Sequence, residues 1–112
     1  MSKTLLSIKD QCNKHLFKFD IAETDLDIVL SNVWTKDYKV TNASIDGLRA
    51  IKYYADRRSK CVHVVAKTNK VFNLILNSGF HQNLLMRGAG DISNLVPEST
   101  VFMYSWRPQH GS

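Results

Sequence analysis

The chain has 112 residues, of which 44% are hydrophobic and 22% charged, and this balance predicts one globular domain. No run approaches the roughly 20 apolar residues of a membrane-spanning helix, and the opening residues lack the apolar core of a signal peptide, so we expect a soluble cytosolic protein with no membrane role. Its two cysteines do not make a disulfide framework, and both are expected to be reduced.

The first half of the chain predicts a helix, a strand and a second helix. Residues 4–19 have apolar side chains at helical spacing, and although HLFKF at their end also fits a strand, we favour a helix. Residues 25–34 are rich in β-branched side chains and predict a strand. Residues 44–58 repeat apolar side chains every three positions and predict a helix, which Asn42 or Ser44 can cap.

The second half of the chain predicts strands around one short helix. Residues 61–67 form an apolar strand that we expect to be covered on both faces. Asn69 can cap the short helix, and Gly79 suits the left-handed conformation that ends it. The buried stripe of this helix is predicted to consist of Val71, Phe72, Ile75 and Leu76. Strands are expected at 80–87 and 100–106, joined by a loop.

This order of elements predicts an α/β or α+β layer fold with a mixed sheet and flanking helices. Strand–helix–strand steps favour parallel neighbours with right-handed crossovers, whereas the last two strands are suited to an antiparallel hairpin. In the final strand, side-chain alternation places Val101, Met103 and Ser105 on one face. The other face carries three aromatic side chains, which form either core or, at a sheet edge, a docking patch.

Positive charge is concentrated in residues 49–70, which we call the basic segment. Its only carboxylate is Asp56. Its basic residues are Arg49, Lys52, Arg57, Arg58, Lys60, Lys67 and Lys70. A field of this sign attracts phosphates and nucleic acid, and Tyr53 or Tyr54 is available for stacking. An ordinary solvated helix face explains the same pattern, so both readings stay open.

Cysteine and histidine occur in two close pairs, Cys12 with His15 and Cys61 with His63. Each pair shares one face of its predicted element, and two cysteines with two histidines are a good ligand set for zinc. The alternative is a small buried cysteine beside a hydrogen-bonded histidine, and we assign no metal site. Other candidate proton acceptors are His63, His81, His110, Glu23, Asp25 and Asp27.

From residue 25 onward, the chain resembles the C-terminal two-thirds of the GNAT, or acyl-CoA N-acyltransferase, family. The run LRAIKYYADRRSKCVHVVAKTNKVFNLILNSGFHQNLLM is similar to that family's amphipathic helix, apolar strand, Asn, short helix, Gly-Phe and strand, and STVFMYSW is similar to its final strand. The resemblance covers residues 25–106, and residues 1–24 are a divergent segment. Within that family, the chain looks similar to small GNAT-like proteins of tailed phages, some of which are virion or head-assembly proteins.

The resemblance also implies where acetyl-CoA would bind. The family's Gln/Arg-x-x-Gly-x-Gly/Ala loop holds the cofactor pyrophosphate on backbone amides before the helix. Lys39 matches its basic position, Asn42 and Ser44 stand at its glycine positions, and Asn69 lies within one residue of the family's Asn. Many members place a Tyr general acid in the short helix, where this chain has Ile75. No catalytic residue is therefore assigned.

We accordingly predict a single GNAT-like domain, 1–112, that is shortened at its amino end and has lost acyl transfer. The expected role is that of an accessory or assembly protein of a phage particle, acting in head assembly without a cofactor. Its partners would be virion proteins or further copies of the chain, in the host cytoplasm or the virion. Two alternatives stay open: an acetyl-CoA-dependent N-acetyltransferase and a basic nucleic-acid-binding module.

Overall fold

The computed structural model describes residues 4–36, 39–68, 70, 72–76, 78–83, 100 and 102–108. In chain order, the elements of this described part are α1 (Leu5–Lys14), β1 (Phe17–Glu23), β2 (Asp27–Thr35), α2 (Asn42–Arg57), β3 (Cys61–Ala66), α3 (Phe72–Leu76), β4 (His81–Asn83) and β5 (Phe102–Trp106). Helices with one mixed sheet confirm the predicted α/β (α+β) class. Among these residues, no helix has the length and apolar character needed to cross a membrane.

The five described strands form one sheet in the order β1-β2-β3-β5-β4. β1 and β2 are antiparallel, whereas β2 and β3 are parallel and are connected by α2. The strand–helix–strand step that the sequence predicts is therefore present. β5 lies between β3 and β4 and is antiparallel to both, so the last two strands also pair as predicted.

The segment 4–19 contains both a helix and the start of a strand. α1 ends at Lys14, and Leu16 takes a left-handed conformation with a φ of 62°. β1 begins at the next residue, and Phe17 and Phe19 are both buried. The prediction of one helix was therefore wrong beyond Lys14, because two aromatic side chains enter the core at the two-residue spacing of a strand.

One face of the sheet packs against α1 and α2 and forms the hydrophobic core. Large, fully buried members of this core include Phe17, Leu30, Leu48, Phe80 and Tyr104. The two helices approach closely at Gly47. A Cβ at this position would lie 2.6 Å from the Cys12 sulfur and 3.0 Å from the Phe17 ring. The absence of a side chain at Gly47 thus permits the observed helix spacing.

β3 is covered on both faces, more completely on the helix side. Val62 and Val64 belong to the core cluster. Because side chains alternate along a strand, Cys61, His63 and Val65 lie on the opposite face. Val65 is buried there as well, and the other two are half-buried. The strand predicted at 61–67 therefore has the two-sided cover expected of it.

The C-terminal elements agree with the prediction in part. In α3, Ile75 is buried and Leu76 is partly buried as predicted, whereas Leu74, which the predicted stripe leaves out, is also buried. Gly79 follows the helix with a φ of 85°, the predicted left-handed conformation. The aromatic face of β5 belongs to the core, since Tyr104 lies in the core cluster and its neighbours Phe102 and Trp106 pack against it. The predicted cap Asn69, Val71, Val101 and the segment 84–99 lie outside the described residues.

Candidate functional site

The amino end of α2 is where the resemblance places the cofactor loop. Its N-cap is Thr41, so the prediction of Asn42 or Ser44 as cap was wrong. The Ser44 amide donates to the Thr41 hydroxyl at 3.1 Å, and the Thr41 amide donates to the Ser44 hydroxyl at 3.0 Å. This reciprocal capping satisfies amides at the end of the helix that would otherwise be available to an anion.

The predicted cofactor residues differ in their exposure and in their contacts. Lys39 is exposed, and its carbonyl accepts a hydrogen bond of 3.2 Å from the Thr35 hydroxyl. Asn42 is exposed in the first turn of α2, whereas Ser44 is buried and engaged in the capping interaction. Asn69 lies outside the described residues.

A cleft of about 440 Å³ lies between α1 and α2. Its lining consists of Ile8, Gln11, Cys12, His15, Asn42, Ala43, Asp46, Gly47 and Ala50. Gln11 and His15 contact each other at its edge, with 3.2 Å between their Nε2 atoms. Within the described part of the chain, the lining includes the Asp46 carboxylate and no Lys or Arg. A cleft with this charge is poorly suited to a pyrophosphate.

Lys52 of the basic segment makes a hydrogen bond within the protein. Its ammonium group donates a hydrogen bond of 2.5 Å to the Ser78 carbonyl. Burial, together with the nearby positive charge of Arg49, lowers the pKa of Lys52. This side chain connects α2 to the turn after α3, so it is directed toward the protein rather than toward a ligand.

Lys60 connects the end of α2 to the turn between β1 and β2. Its ammonium group lies 2.6 Å from the Glu23 carboxylate and 2.7 Å from the Thr24 carbonyl. The Tyr54 hydroxyl also donates to Glu23, at 3.0 Å. Burial acts to raise the pKa of Glu23, but the hydrogen bonds from Lys60 and Tyr54 outweigh it and the pKa is lowered. Lys60 therefore has a structural partner.

Arg57 and Arg58 lie over tyrosine rings of their own helix. The Arg57 guanidinium is 5.6 Å from the centre of the Tyr53 ring, and the Arg58 guanidinium is 3.7 Å from the centre of the Tyr54 ring. Such cation–π contacts hold the charges close to the helix surface. Both arginines are nevertheless exposed, and so are the other basic side chains Arg49, Lys67 and Lys70. The basic segment is thus divided between internal contacts and an exposed part.

Asp27, His63 and Ser105 form a hydrogen-bonded arrangement across three neighbouring strands, which we call the polar row. His63 Nε2 lies 2.8 Å from Asp27 Oδ1, and His63 Nδ1 lies 2.7 Å from Ser105 Oγ. The sheet register creates this arrangement, because His63 pairs directly with Ser105, and Asp27 pairs with Cys61, two residues before His63. The side chains of His63 and Asp27 are 14% and 20% exposed.

The hydrogen-bonding partners of His63 fix its tautomer. An ionised carboxylate can only accept a hydrogen bond, so the imidazole proton facing Asp27 must be on Nε2. In the neutral ring, Nδ1 is then an acceptor, and the Ser105 hydroxyl donates to it. The polar row therefore directs a hydroxyl proton toward a histidine base.

The two cysteine–histidine pairs do not meet. Cys12 belongs to the core cluster on the helix side, whereas Cys61 and His63 lie on the opposite face of the sheet. No group of three or more His, Cys, Asp or Glu side chains among the described residues is arranged to hold a metal ion. The hypothesis of a four-ligand zinc site was therefore wrong, because the sheet separates the two pairs.

The sequence identified two members of the polar row as candidates but did not predict that they contact each other. His63 was a candidate base and Asp27 a candidate carboxylate, but Ser105 had no chemical role. The only sequence signal for Ser105 was its position on the face of β5 opposite the aromatic side chains. Of the other candidate acceptors, Glu23 contacts Lys60, Asp25 and His81 are exposed, and His110 lies outside the described residues.

A scan of protein-family models, a search of curated proteins and a search of solved structures found no match to this chain.

Proposed function

We propose that this chain is a GNAT-like accessory or assembly protein of a phage particle, active in head assembly, and that it has lost acetyl-CoA-dependent acyl transfer. The order of β2, α2, β3, α3, β4 and β5 supports the proposal, since it follows the order of elements in the resemblance. The main observation behind the loss of acyl transfer is the closed amino end of α2, where Thr41 and Ser44 cap each other.

Two features argue against cofactor chemistry, the capped helix end and the residue at the position of the general acid. A helix end binds phosphate through free amides, and here the amide of Ser44 is already bonded to the Thr41 hydroxyl. Ile75, at the position of the family's Tyr general acid, is fully buried and has no proton to donate. Both features support the proposed loss of acyl transfer.

Exposed apolar side chains at one end of the β1–β2 hairpin support a protein partner. Leu16, Trp34 and Val40 are 52%, 38% and 38% exposed. Leu16 and Trp34 flank the cross-strand pair of Phe17 and Thr35, and Val40 follows the same end of β2. Exposed apolar side chains that lie together are typical of contact surfaces. We propose that virion proteins or further copies of this chain bind there, in the host cytoplasm or the virion.

Thermal unfolding with millimolar acetyl-CoA tests the loss of cofactor binding. A ligand at 100 times its Kd adds about 2.7 kcal/mol to the free energy of unfolding, and we expect no such increase in the melting temperature. A concentration-dependent increase would refute the loss and would favour the N-acetyltransferase alternative. Coenzyme A without the acetyl group is the matched ligand, since it carries the same pyrophosphate.

Sedimentation velocity tests the assembly role separately. We expect wild-type protein to associate, either with itself or with purified virion proteins, and we expect Leu16→Ser and Trp34→Ser to weaken that association without changing the melting temperature by more than a few degrees. Leu26→Ser is the matched control, because Leu26 is 64% exposed in the turn at the opposite end of the hairpin. Protein that stays monomeric with every virion component would refute the role.

Nucleic-acid binding remains a second candidate, favoured by the exposed part of the basic segment. Tyr53 is 63% exposed beneath the Arg57 guanidinium, and both are on α2 with Arg49. An aromatic ring beside exposed cations can stack on a base while the cations contact phosphates. Binding to single-stranded DNA would then weaken with salt, and Arg57→Ala would reduce the slope of log K against log salt by about 1. Salt-independent binding, or none, would exclude this candidate.

A further inference from the structure

The polar row of Asp27, His63 and Ser105 lies on the face of the sheet opposite α1 and α2. It is separate from the capped amino end of α2 and from the exposed apolar side chains of the β1–β2 hairpin. The proposed assembly function therefore does not account for it. The hydrogen bonds on the two sides of His63 measure 2.8 Å and 2.7 Å. Carboxylate, imidazole and hydroxyl in this order activate serine nucleophiles on unrelated folds. The ring is reversed here, because Nε2 faces the carboxylate and Nδ1 faces the hydroxyl.

The direction of the hydrogen bonds gives Ser105 its reactivity. Asp27 accepts from Nε2 of His63, which leaves Nδ1 as the acceptor for the Ser105 proton. A hydroxyl that donates its proton to a base has its oxygen lone pairs available to attack an electrophile. His63 is held between two partners on different strands, so its ring is oriented before any substrate arrives.

Two buried valines lie beside His63 on this face of the sheet and favour a small uncharged acyl group. Val29 is the cross-strand partner of His63, and Val65 follows two residues later on the same face of β3; each is 1% exposed. Cys61 lies on this face too, but it is not a competing nucleophile. Burial, followed by the charge of Asp27, raises the pKa of its thiol, so it stays protonated and weakly nucleophilic at neutral pH.

We propose that Ser105 is a nucleophile that transfers the acyl group of small, activated carboxylic esters to water. In the first step, Ser105 Oγ attacks the carbonyl carbon and its proton passes to His63 Nδ1. The ester C–O bond breaks, and the leaving alcohol takes that proton from His63. The product of this step is an ester between the acyl group and Ser105.

Water completes the reaction in a second step. It attacks the acyl carbon while His63 Nδ1 accepts one of its protons. The bond between the acyl carbon and Ser105 Oγ breaks, Ser105 recovers the proton from His63, and the carboxylic acid leaves. Asp27 touches no reacting atom and is a positioning residue that keeps the Nε2 proton in place.

Labelling with a fluorophosphonate tests the nucleophile directly. We expect intact mass and peptide mapping to find one adduct on Ser105, which Ser105→Ala abolishes and His63→Gln slows at least about 100-fold, as expected for loss of a positioned base. Ser7 and Ser59, both exposed, give the background reactivity of serine in the same peptide map. An adduct on Ser105 no faster than on these residues, or an unchanged rate in His63→Gln, would overturn the proposal.

Three further measurements do not depend on His63→Gln folding well. Nitrogen-15 NMR of the wild-type protein should show neutral His63 protonated on Nε2, and a proton on Nδ1 would overturn the mechanism. In Asp27→Asn, we expect both neutral tautomers of His63 to be populated and labelling of Ser105 to be slower, at an almost unchanged melting temperature. If His63 keeps a single tautomer in this variant, Asp27 is not a positioning residue. With 4-nitrophenyl acetate, continued release of nitrophenolate that Ser105→Ala abolishes supports transfer to water, whereas a single stoichiometric release refutes the second step.

Discussion

Gly47→Ala tests whether the closest approach of α1 and α2 limits the stability of the core. An added Cβ would lie 2.6 Å from the Cys12 sulfur and 3.0 Å from two carbons of the Phe17 ring. Cys12 and Phe17 are both buried, so neither side chain can move into solvent without loss of packing. The substitution therefore forces either the helices or the first strand apart.

The expected magnitude is the difference between two opposing effects. Overpacking a core costs about 1–3 kcal/mol, and three short contacts place this site in the upper half of that range. Alanine is a better helix former than glycine by about 1 kcal/mol. The net loss in the free energy of unfolding should be about 1–2 kcal/mol, which for a domain of this size lowers the melting temperature by about 4–10 °C.

Urea unfolding followed by circular dichroism at 222 nm measures this loss. Arg49→Ala is the matched control, because Arg49 is exposed on the same helix and its replacement should change stability by less than about 0.5 kcal/mol. Cys12→Ala removes the nearest atom, so the double variant should be more stable than the sum of the single effects by about 1 kcal/mol. A Gly47→Ala protein more stable than wild type would refute the close packing.

Two other predictions concern the ends of α2. Thr41→Ala removes the N-cap and should lower the free energy of unfolding by about 1 kcal/mol, whereas Asn42→Ala, at an exposed neighbour, should change it little; equal effects in urea unfolding would contradict the assigned cap. The pKa of Glu23 is lowered below its ordinary value of 4.5, so its contribution to stability is complete above that pH and is lost as the pH falls through the lower folded value. Wild-type protein should therefore lose its advantage over Glu23→Gln in acid, and a constant difference between pH 6 and pH 3 would contradict the ion pair with Lys60.

Local patterns in the sequence predicted most of the elements because they depend on near neighbours. Apolar spacing identified α2 and β3, and the left-handed conformation expected of Gly79 is present. The same reasoning failed at residues 15–19, where helix and strand patterns overlap. There the choice depends on burial of Phe17 and Phe19 against other elements, which a local pattern does not contain.

The helix cap shows a similar limit on a smaller scale. Thr41, Asn42 and Ser44 are all able to cap a helix, and the sequence favoured the later two. The backbone reaches helical geometry at Asn42, so Thr41 becomes the cap and Ser44 its partner. Because the helix starts at Asn42, the amide of Ser44 donates a hydrogen bond to Thr41. The resemblance had placed Ser44 at a position that approaches the cofactor phosphate.

The sequence by itself determined the class of fold, the order of its elements from β2 onward and the residue types available for chemistry. Only the tertiary structure decided which of those residues meet. Asp27, His63 and Ser105 are far apart in the chain and become neighbours because parallel pairing of β2 with β3 and antiparallel pairing of β3 with β5 place them side by side on one face. The same sheet separates Cys12 from Cys61 and His63, since register and facing are properties of strand pairing rather than of any single segment.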